Sequence, residues 1–300
     1  MHKPVLLSQF LTQLAPREGG AYLDGTFGAG GYSRALLSSC TCRVLACDRD
    51  SAALPYAQSL REQFGERFQF FTACFSEIPA LLARAGYTTL DGMVLDLGVS
   101  AMQIDVPERG FSFQKKGPLD MRMGANALSA AEVVNTFPEE QISEILWTYG
   151  EEPKSRAIAR KIVEARRKRP LQTTWDLQRL VASVVRGSPL RDPATRTFQA
   201  LRIFVNDELG ELQKALLHAE KYLKAGGRLV VVAFHSLEDR LVKRFLNGPE
   251  APVDPISGKP LPGKGPFAPL YKKPMTPSEE EKRMHPRARS AKMRVGVKQP

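Results

Sequence analysis

A glycine-dense turn flanked by acidic residues has the composition and spacing of a nucleotide-binding site. The segment from Tyr22 to Leu37 gives a short apolar strand, the turn and then a helix, with Asp24 just before the glycines Gly28, Gly30 and Gly31. A second strand runs from Arg43 to the acid Asp48. In α/β sheets, glycines let the backbone close around a ligand, and a carboxylate after strand two accepts hydrogen bonds from ribose hydroxyls. The pair predicts a site for an adenosine-containing cofactor.

Two cofactor classes fit such a turn. The dinucleotide pattern G-x-G-x-x-G, started at Gly28, needs a third glycine where the chain has Ser33. Without it the pyrophosphate interpretation weakens. An acid beside a G-x-G-G turn suits the ammonium end of S-adenosylmethionine, so this methyl donor is the expected cofactor and a nicotinamide oxidoreductase is the less favoured alternative.

The elements around this turn predict an α/β fold with a parallel, doubly wound sheet. Further apolar strands are expected from Phe68 to Cys74 and from Gly92 to Leu95, followed by Phe75 and Asp96. Ligands of such sheets lie beyond the carboxyl ends of the strands, so the residues that follow each strand should face one crevice.

A helical segment interrupts this alternation. Between about 105 and 191 apolar residues recur at helical spacing, as in Ile142, Ile145, Leu146 and Tyr149. A long amphipathic helix is expected from Phe198 to Leu216, closed by Gly226-Gly227 before a fifth strand. We therefore predict a discontinuous cofactor-binding domain, residues 1–105 and 193–300, with an inserted helical, RNA-binding domain at 106–192 that overhangs the crevice.

The charge of the chain favours a polyanionic partner over a merely solubilising surface. Its 300 residues carry 43 basic and 32 acidic side chains, a net charge of +11. Eight basic residues and one acid lie between Lys154 and Arg169, and seven basic residues and no acid lie between Lys282 and Lys298. Concentrated Lys and Arg bind phosphates by releasing counterions, so two patches indicate nucleic acid.

The remaining composition predicts a reduced protein with no metal and no membrane segment. The four cysteines lie in the first quarter of the chain and lack a second pair at zinc-ligand spacing. The longest core-like apolar run, Leu229 to Phe234, is too short to cross a bilayer. A cytoplasmic location is expected.

With these motifs in place, the chain resembles the bacterial 16S ribosomal RNA cytosine-N4 methyltransferases of the RsmH/MraW type along nearly its whole length. The resemblance is carried by nine segments in order: His2 to Leu6, Asp24 to Ser33, Cys47 to Asp50, Leu95 to Ser100, Glu108 to Phe113, Gly117 to Met123, Pro193 to Ala200, Phe234 to Arg240 and Arg287 to Lys292.

The resemblance implies a class I (Rossmann-like) methyltransferase sheet with an inserted helical domain. It implies S-adenosylmethionine-dependent methylation of the exocyclic amine of a decoding-centre cytosine in 16S rRNA within the small ribosomal subunit. The family's cofactor contacts carry over onto Gly30, Gly31, Tyr32, Asp48, Phe75, Asp96 and Gln103. One departure is visible, because Ala101 and Met102 precede Gln103 where the family usually has Ser-Pro, and loss of the proline frees the local backbone.

The reaction asks for an acceptor aimed at the amine N–H, placed at the strand ends. The Asp/Asn-Pro-Pro-aromatic segment of many amine methyltransferases is absent, and Asp96 stands in its place. We expect Asp96 to bridge cofactor and target, and His235 and Ser236 to wall the base pocket, with a simple strand-end role for His235 equally open.

RNA contact is expected from basic residues of both patches and from the start of the insertion. A solvated helix face remains the alternative for the run in the middle of the chain. The candidates are Arg109, Arg166, Arg167, Lys168, Arg169, Arg287 and Arg289. A different class of function, a catalytically inactive RNA-binding ribosome assembly factor, is disfavoured by the intact glycine turn and its acids.

Overall fold

The computed structural model describes residues 4–125, 128–186, 192–248 and 265–300. The chain forms two compact units, one of Met1–Gly98 with Leu209–Pro300 and one of Val99–Glu208. None of the described helices is both long enough and apolar enough to cross a membrane.

The first unit is built on a seven-stranded sheet. Its strands are β1 (Ala21–Asp24), β2 (Arg43–Asp48), β3 (Phe68–Thr72), β4 (Leu90–Asp96), β5 (Leu223–Ala233), β6 (Phe267–Pro269) and β7 (Lys292–Lys298). Their order in the sheet is β3-β2-β1-β4-β5-β7-β6. Strands β1 to β5 pair in parallel, and β7 is antiparallel to both of its neighbours. The predicted parallel α/β sheet is confirmed.

The described helices are α1 (Leu7–Leu14), α2 (Gly31–Ser39), α3 (Leu54–Phe64), α4 (Ile78–Arg84), α5 (Ala101–Ile104), α6 (Ala130–Thr136), α7 (Glu139–Gly150), α8 (Ser155–Arg166), α9 (Thr174–Val184), α10 (Thr195–Asn206), α11 (Glu208–Tyr222), α12 (Ser236–Asn247) and α13 (Glu279–Met284).

Helices cover both faces of the sheet, which explains why its strands read as nearly continuous apolar runs. Along β5, Val230 and Val232 pack on the face that carries α1, α2 and α3. Leu229 and Val231 pack on the opposite face, against α4, α11 and α12. The two cores fix the strand register, and the register places the carboxyl ends of β1, β2 and β4 at one edge.

The second unit has a core of its own, made by α6 to α10 with the preceding loop. Buried apolar side chains from each helix meet there, including Val133, Ile142, Ile158, Leu177 and Leu201. As predicted, this part of the chain is helical.

The expected single helix from Phe198 to Leu216 is wrong. The chain forms two helices, α10 and α11, separated at Asp207, whose φ of 47° is left-handed. Phe198 packs in the core of the second unit, whereas Leu212 packs under the sheet. The apolar spacing continues across the break although it serves two different cores. In the division into compact units, the second unit ends at Glu208, directly after this break.

The expected end of that helix is also different. Gly226 and Gly227 lie inside β5, where the register against β4 shifts between Leu90 and Gly92. Gly226 has a φ of 78°, a backbone conformation that glycine adopts without steric cost. The two glycines form an irregularity of the strand and do not close the helix.

Candidate active site

The glycine turn after β1 is shaped by close approaches that admit no side chain. Gly30 has a φ of 77°, and a Cβ there would lie 2.7 Å from the ring of Phe27. A Cβ on Gly31 would lie 2.1 Å from Cγ of Pro4. The backbone of the turn is thus held between an aromatic ring and the segment that precedes α1.

Asp24 ends β1 and is fully buried beneath this turn. Its Oδ2 accepts a hydrogen bond from the Ser33 hydroxyl at 2.7 Å, and its Oδ1 accepts one from the Thr26 amide at 3.2 Å. Burial raises the pKa of Asp24 to about 6, although both hydrogen bonds act in the opposite direction. Asp24 therefore stabilises the turn through these two hydrogen bonds. Its expected contact with the cofactor stays a prediction.

Asp48 ends β2 and reaches across to the same turn. Its Oδ2 accepts a hydrogen bond from the Gly28 amide at 2.7 Å, and its Oδ1 accepts one from the Asp50 amide at 2.9 Å. A carboxylate accepts about four hydrogen bonds, so each oxygen of Asp48 retains capacity for a hydroxyl. Burial raises the pKa of Asp48.

Asp96 ends β4 beside the turn. Its amide donates to the Thr26 hydroxyl at 2.5 Å, which ties the end of β4 to the loop after β1. The residue is partly exposed, yet its Oδ1 is buried and has no hydrogen-bond partner among the described residues. Burial, followed by the negative charges of Asp24 and Glu238, raises the pKa of Asp96 to about 8. Such an oxygen suits a ligand that donates a proton or carries positive charge.

Tyr32 is the second residue of α2, and its side chain is buried in the core. The ring is buried against Phe10, and the hydroxyl donates to the carbonyl oxygen of Val5. If Tyr32 contacts the cofactor, it does so through its backbone.

The Tyr32–Val5 hydrogen bond belongs to a short segment, Pro4 to Leu6, that lies against the glycine turn. Leu6 has a φ of 55°, and its amide donates to Oε1 of Glu281 in α13 at 2.7 Å. We call residues 4–6 the N-terminal strap. The strap joins the glycine turn to a helix near the far end of the sequence.

Phe75 follows β3 and is half-buried. Its ring lies 3.5 Å from the position of a Cβ on Gly25, at the start of the loop after β1. A ring at the edge of the turn can border an adenine. The contact of Phe75 with the cofactor stays a prediction.

His235 follows β5 and forms the N-cap of α12. Its Nδ1 accepts the Glu238 amide at 3.4 Å, while Glu238 Oε2 accepts the amides of Phe234 and His235 at 2.8 and 3.2 Å. The His235 Nε2 lies 3.2 Å from the other Glu238 oxygen, with both side chains largely buried. This reciprocal capping box stabilises the turn after β5. Ser236 is exposed at the first position of α12.

The comparisons with known proteins decide the family. The chain matches the MraW methylase family over residues 1–299. The chain belongs to this family.

Its curated relatives carry the name ribosomal RNA small subunit methyltransferase H. The protein from Parvibaculum lavamentivorans is 52% identical over 98% of this chain and 88% of its own length. Those from Rhodospirillum rubrum and Paramagnetospirillum magneticum are 50% and 51% identical, over 98% and 99% of this chain and 93% and 95% of their lengths. The resemblance found in the sequence is confirmed: the chain is an S-adenosylmethionine-dependent methyltransferase of the MraW family.

The acceptor oxygens at the strand ends of the first unit fit the chemical groups of S-adenosylmethionine. The sulfonium and ammonium groups of S-adenosylmethionine are cationic, and its ribose offers hydroxyl donors. Asp96 supplies an unpartnered buried oxygen, and Asp48 retains acceptor capacity. Gly30 and Gly31 keep the turn free of side chains at this edge.

Gln103, for which the family resemblance predicts a cofactor contact, lies in α5 of the second unit. It forms a capping box with Ser100, in which each side chain accepts the other residue's amide, at 2.9 and 3.3 Å. This local frame orients Gln103 without the proline that the family usually has before it. The cofactor contact of Gln103 stays a prediction.

The expected RNA-binding residues differ in the contacts that they make within the protein. The Arg109 guanidinium lies 5.6 Å from the Phe111 ring centroid and donates to the Arg122 carbonyl. Arg166 donates to the Val134 carbonyl, so it secures the end of α8.

The rest of the basic run, Arg167, Lys168 and Arg169, is exposed, and Arg169 pairs with Asp176 at 3.1 Å. Arg287 and Arg289 are exposed on the turn between α13 and β7. Arg167 and Lys168 of the second unit and Arg289 of the first unit thus present exposed positive charge, which phosphate binding requires.

Sequence reasoning missed four residues that shape the site. Glu238 stands three positions after His235, which is the spacing of a capping box and a usable signal. Thr26 and Ser33 act through contacts inside the turn motif. Glu281 had no signal, since its partner Leu6 lies at the other end of the sequence.

Proposed function

We propose that this chain methylates the exocyclic N4 amine of a decoding-centre cytosine in 16S rRNA within the small ribosomal subunit. Membership of a methylase family and relatives named for the ribosomal RNA of the small subunit support the substrate class. The observation that carries the proposal is the buried Oδ1 of Asp96 at the end of β4, which has no hydrogen-bond partner in the described part of the chain.

S-adenosylmethionine supplies an activated methyl group on a sulfonium when it is bound. The residues that would hold it are Asp48, through acceptor capacity for the ribose, the side-chain-free backbone at Gly30 and Gly31, and Phe75 at the edge of the turn. The backbone of Tyr32 and the side chain of Gln103 complete the expected set.

Asp96 meets the main difficulty of the reaction. The lone pair of a cytosine amine is conjugated into the ring, so the nitrogen must pyramidalise before it attacks. An oxygen that accepts one N–H favours this geometry, and a fixed acceptor needs no solvent reorganisation. In the reaction a nitrogen–carbon bond forms as the sulfur–carbon bond breaks, and the amine then loses one proton. Burial, followed by the negative charges of Asp24 and Glu238, raises the pKa of Asp96 to about 8, so its ionised carboxylate is basic enough to receive that proton.

His235 and Glu238 act as positioning residues in this proposal. Their capping box holds the backbone after β5, the strand next to β4. Ser236 is exposed at the start of α12, where we expect it to line the base pocket.

The test is transfer of labelled methyl groups to small ribosomal subunits from cells that lack the enzyme. Mass spectrometry of the product RNA should place one methyl group on N4 of a single cytosine. Asp96→Asn should abolish transfer, while calorimetry follows cofactor binding separately. A wild-type protein that binds subunits and the cofactor but transfers no methyl group would point instead to the assembly-factor alternative.

A further inference from the structure

Both tryptophans of the chain are exposed, and both lie in the second unit. Trp147 of α7 is 62% exposed and Trp175 of α9 is 38% exposed. Tryptophan is highly buried on average, and exposed tryptophans are enriched at interfaces. The surroundings of Trp175 suggest such an interface.

Three chain segments place basic residues at the start of α9, where Trp175 lies. The first contains Lys115 and Lys116 and is fastened to the helix at Thr174. The Thr174 amide donates to the Gly117 carbonyl at 2.9 Å, and its hydroxyl donates to the Lys115 carbonyl at 3.0 Å. Both lysines are exposed beside the residue that precedes Trp175.

The second segment is the end of α8 with the residues that follow. Arg169 pairs with Asp176, the residue directly after Trp175, at 3.1 Å. Lys168 and Arg167, one and two positions before Arg169, are exposed. The ion pair thus fixes this basic run to the first turn of α9.

The third contribution comes from α9 itself. Arg179 lies one helical turn beyond Trp175, and its guanidinium carbon is 5.5 Å from the ring centroid. The cation orients the ring on the helix surface. We call Trp175 with Lys115, Lys116, Arg167, Lys168 and Arg179 the Trp175 platform.

The platform carries charge that the protein does not compensate. Within the described part of the chain, no carboxylate pairs with Lys115, Lys116, Arg167 or Lys168. The nearby acid Asp176 is occupied by Arg169 and by the cap of α9. An exposed aromatic ring among uncompensated cations is the composition that binds unpaired nucleotides, with stacking on the ring and phosphates on the cations.

We propose that the Trp175 platform docks an unpaired stretch of the RNA substrate, with one base stacked on Trp175 and the flanking phosphates on the surrounding cations. The proposal deepens the proposed function, because it takes the substrate to be RNA. It assigns the second unit a substrate-holding role that involves none of the methyl-transfer residues.

The two tryptophans make a direct test practical. Trp147→Phe leaves Trp175 as the sole tryptophan, so its fluorescence reports on the platform alone. Titration with an unpaired RNA oligonucleotide should quench this fluorescence. A fully paired RNA duplex of the same length should bind without comparable quenching. Equal quenching by the duplex would overturn the stacking, and equal quenching by polyglutamate would show a general site for acidic chains.

Affinity and turnover supply the second arm. Trp175→Ala should weaken oligonucleotide binding about tenfold and raise KM for small subunits, Trp175→Phe should restore most of the loss, and Trp147→Ala should have little effect. Cofactor affinity by calorimetry and kcat should not change. Equal losses for Trp147→Ala and Trp175→Ala, or no loss for either, would refute the platform.

Salt dependence completes the design. The paired changes Lys115→Ala with Lys116→Ala, and Arg167→Ala with Lys168→Ala, should each lower the slope of log affinity against log salt by about 1.4, since each phosphate contact to a single strand contributes about 0.7. The salt slopes are measured by RNA binding and do not depend on methyl transfer. If the platform binds RNA but no methyl group is transferred, the proposed function fails while this inference stands.

Discussion

Asp96 combines a carboxyl at the end of β4, a buried oxygen without a hydrogen-bond partner, and two neighbouring acids. Each feature is unfavourable for folding, because a buried carboxylate loses hydration and gains nothing in return. Their coincidence at the strand ends is the expected signature of a functional group. The sequence predicted Asp96 as a site residue. It could not predict the burial and the neighbouring acids that raise the pKa of Asp96, because these depend on tertiary structure.

Replacing Asp96 by Asn should change how stability depends on pH. The folded-state pKa of about 8 lies above the usual value of 3.8, so the folded state binds the proton more tightly. The stability from this group is therefore complete below about pH 4 and is lost as the pH rises to 8, by at most about 1.4 kcal/mol per pH unit. Denaturant unfolding at pH 5 and pH 8 should show Asp96→Asn gaining stability relative to wild type at the higher pH. Parallel profiles would contradict the assigned pKa.

His235 should prove to be a positioning residue. His235→Ala removes the N-cap of α12 and should cost about 1 kcal/mol of stability, with slower single-turnover methyl transfer. Asn caps helices well, so His235→Asn should recover most of both losses. A transfer rate as low in His235→Asn as in His235→Ala would instead place the imidazole in the chemistry.

At the scale of elements, the glycine turn depends on parts of the chain that are distant in sequence. The N-terminal strap packs Pro4 against Gly31, and Glu281 of α13 accepts the strap's Leu6 amide. Strand and helix periodicity predicted β1 to β5 well, because burial on both faces leaves a plain apolar pattern. It missed the break between α10 and α11, because apolar spacing does not reveal which core a residue joins.

Removing the Glu281 carboxylate should weaken cofactor binding through the strap. Glu281→Ala leaves the Leu6 amide without its partner, and we expect about a tenfold higher Kd for S-adenosylmethionine by calorimetry and faster hydrogen exchange at Leu6. Glu281→Gln keeps an acceptor and should lie near wild type. Glu279→Ala is the matched control, because Glu279 lies on the same helix and its carboxylate pairs, among the described residues, with Lys282 alone at the surface. An unchanged Kd in Glu281→Ala would show that the strap has no influence on the turn.

For the molecule as a whole, the net charge of +11 is divided between two units with separate cores. The sequence predicted both basic patches from the distribution of charged residues and the helical insertion from the spacing of apolar residues. It could not predict which cations are already engaged, as Arg166 is with Val134 and Arg109 with Arg122. Those pairings depend on tertiary contacts that charge patterning does not encode.

The two patches should contribute to RNA binding independently. Arg289→Ala in the first unit and Arg167→Ala with Lys168→Ala in the second should each reduce the salt slope for binding to small subunits, and the combined variant should show the sum. Equilibrium binding at several salt concentrations measures this. A combined reduction clearly smaller than the sum would mean that the patches compete for the same phosphates.

Ser33 occupies the position where a dinucleotide-binding turn has its third glycine, and its hydroxyl is the hydrogen-bond donor to Asp24 Oδ2. Ser33→Gly, introduced to recruit a nicotinamide cofactor, would remove the hydroxyl that donates to the buried Asp24 Oδ2, at a cost of about 1–3 kcal/mol. Converting this turn to a redox cofactor would therefore require changing the acid together with the serine.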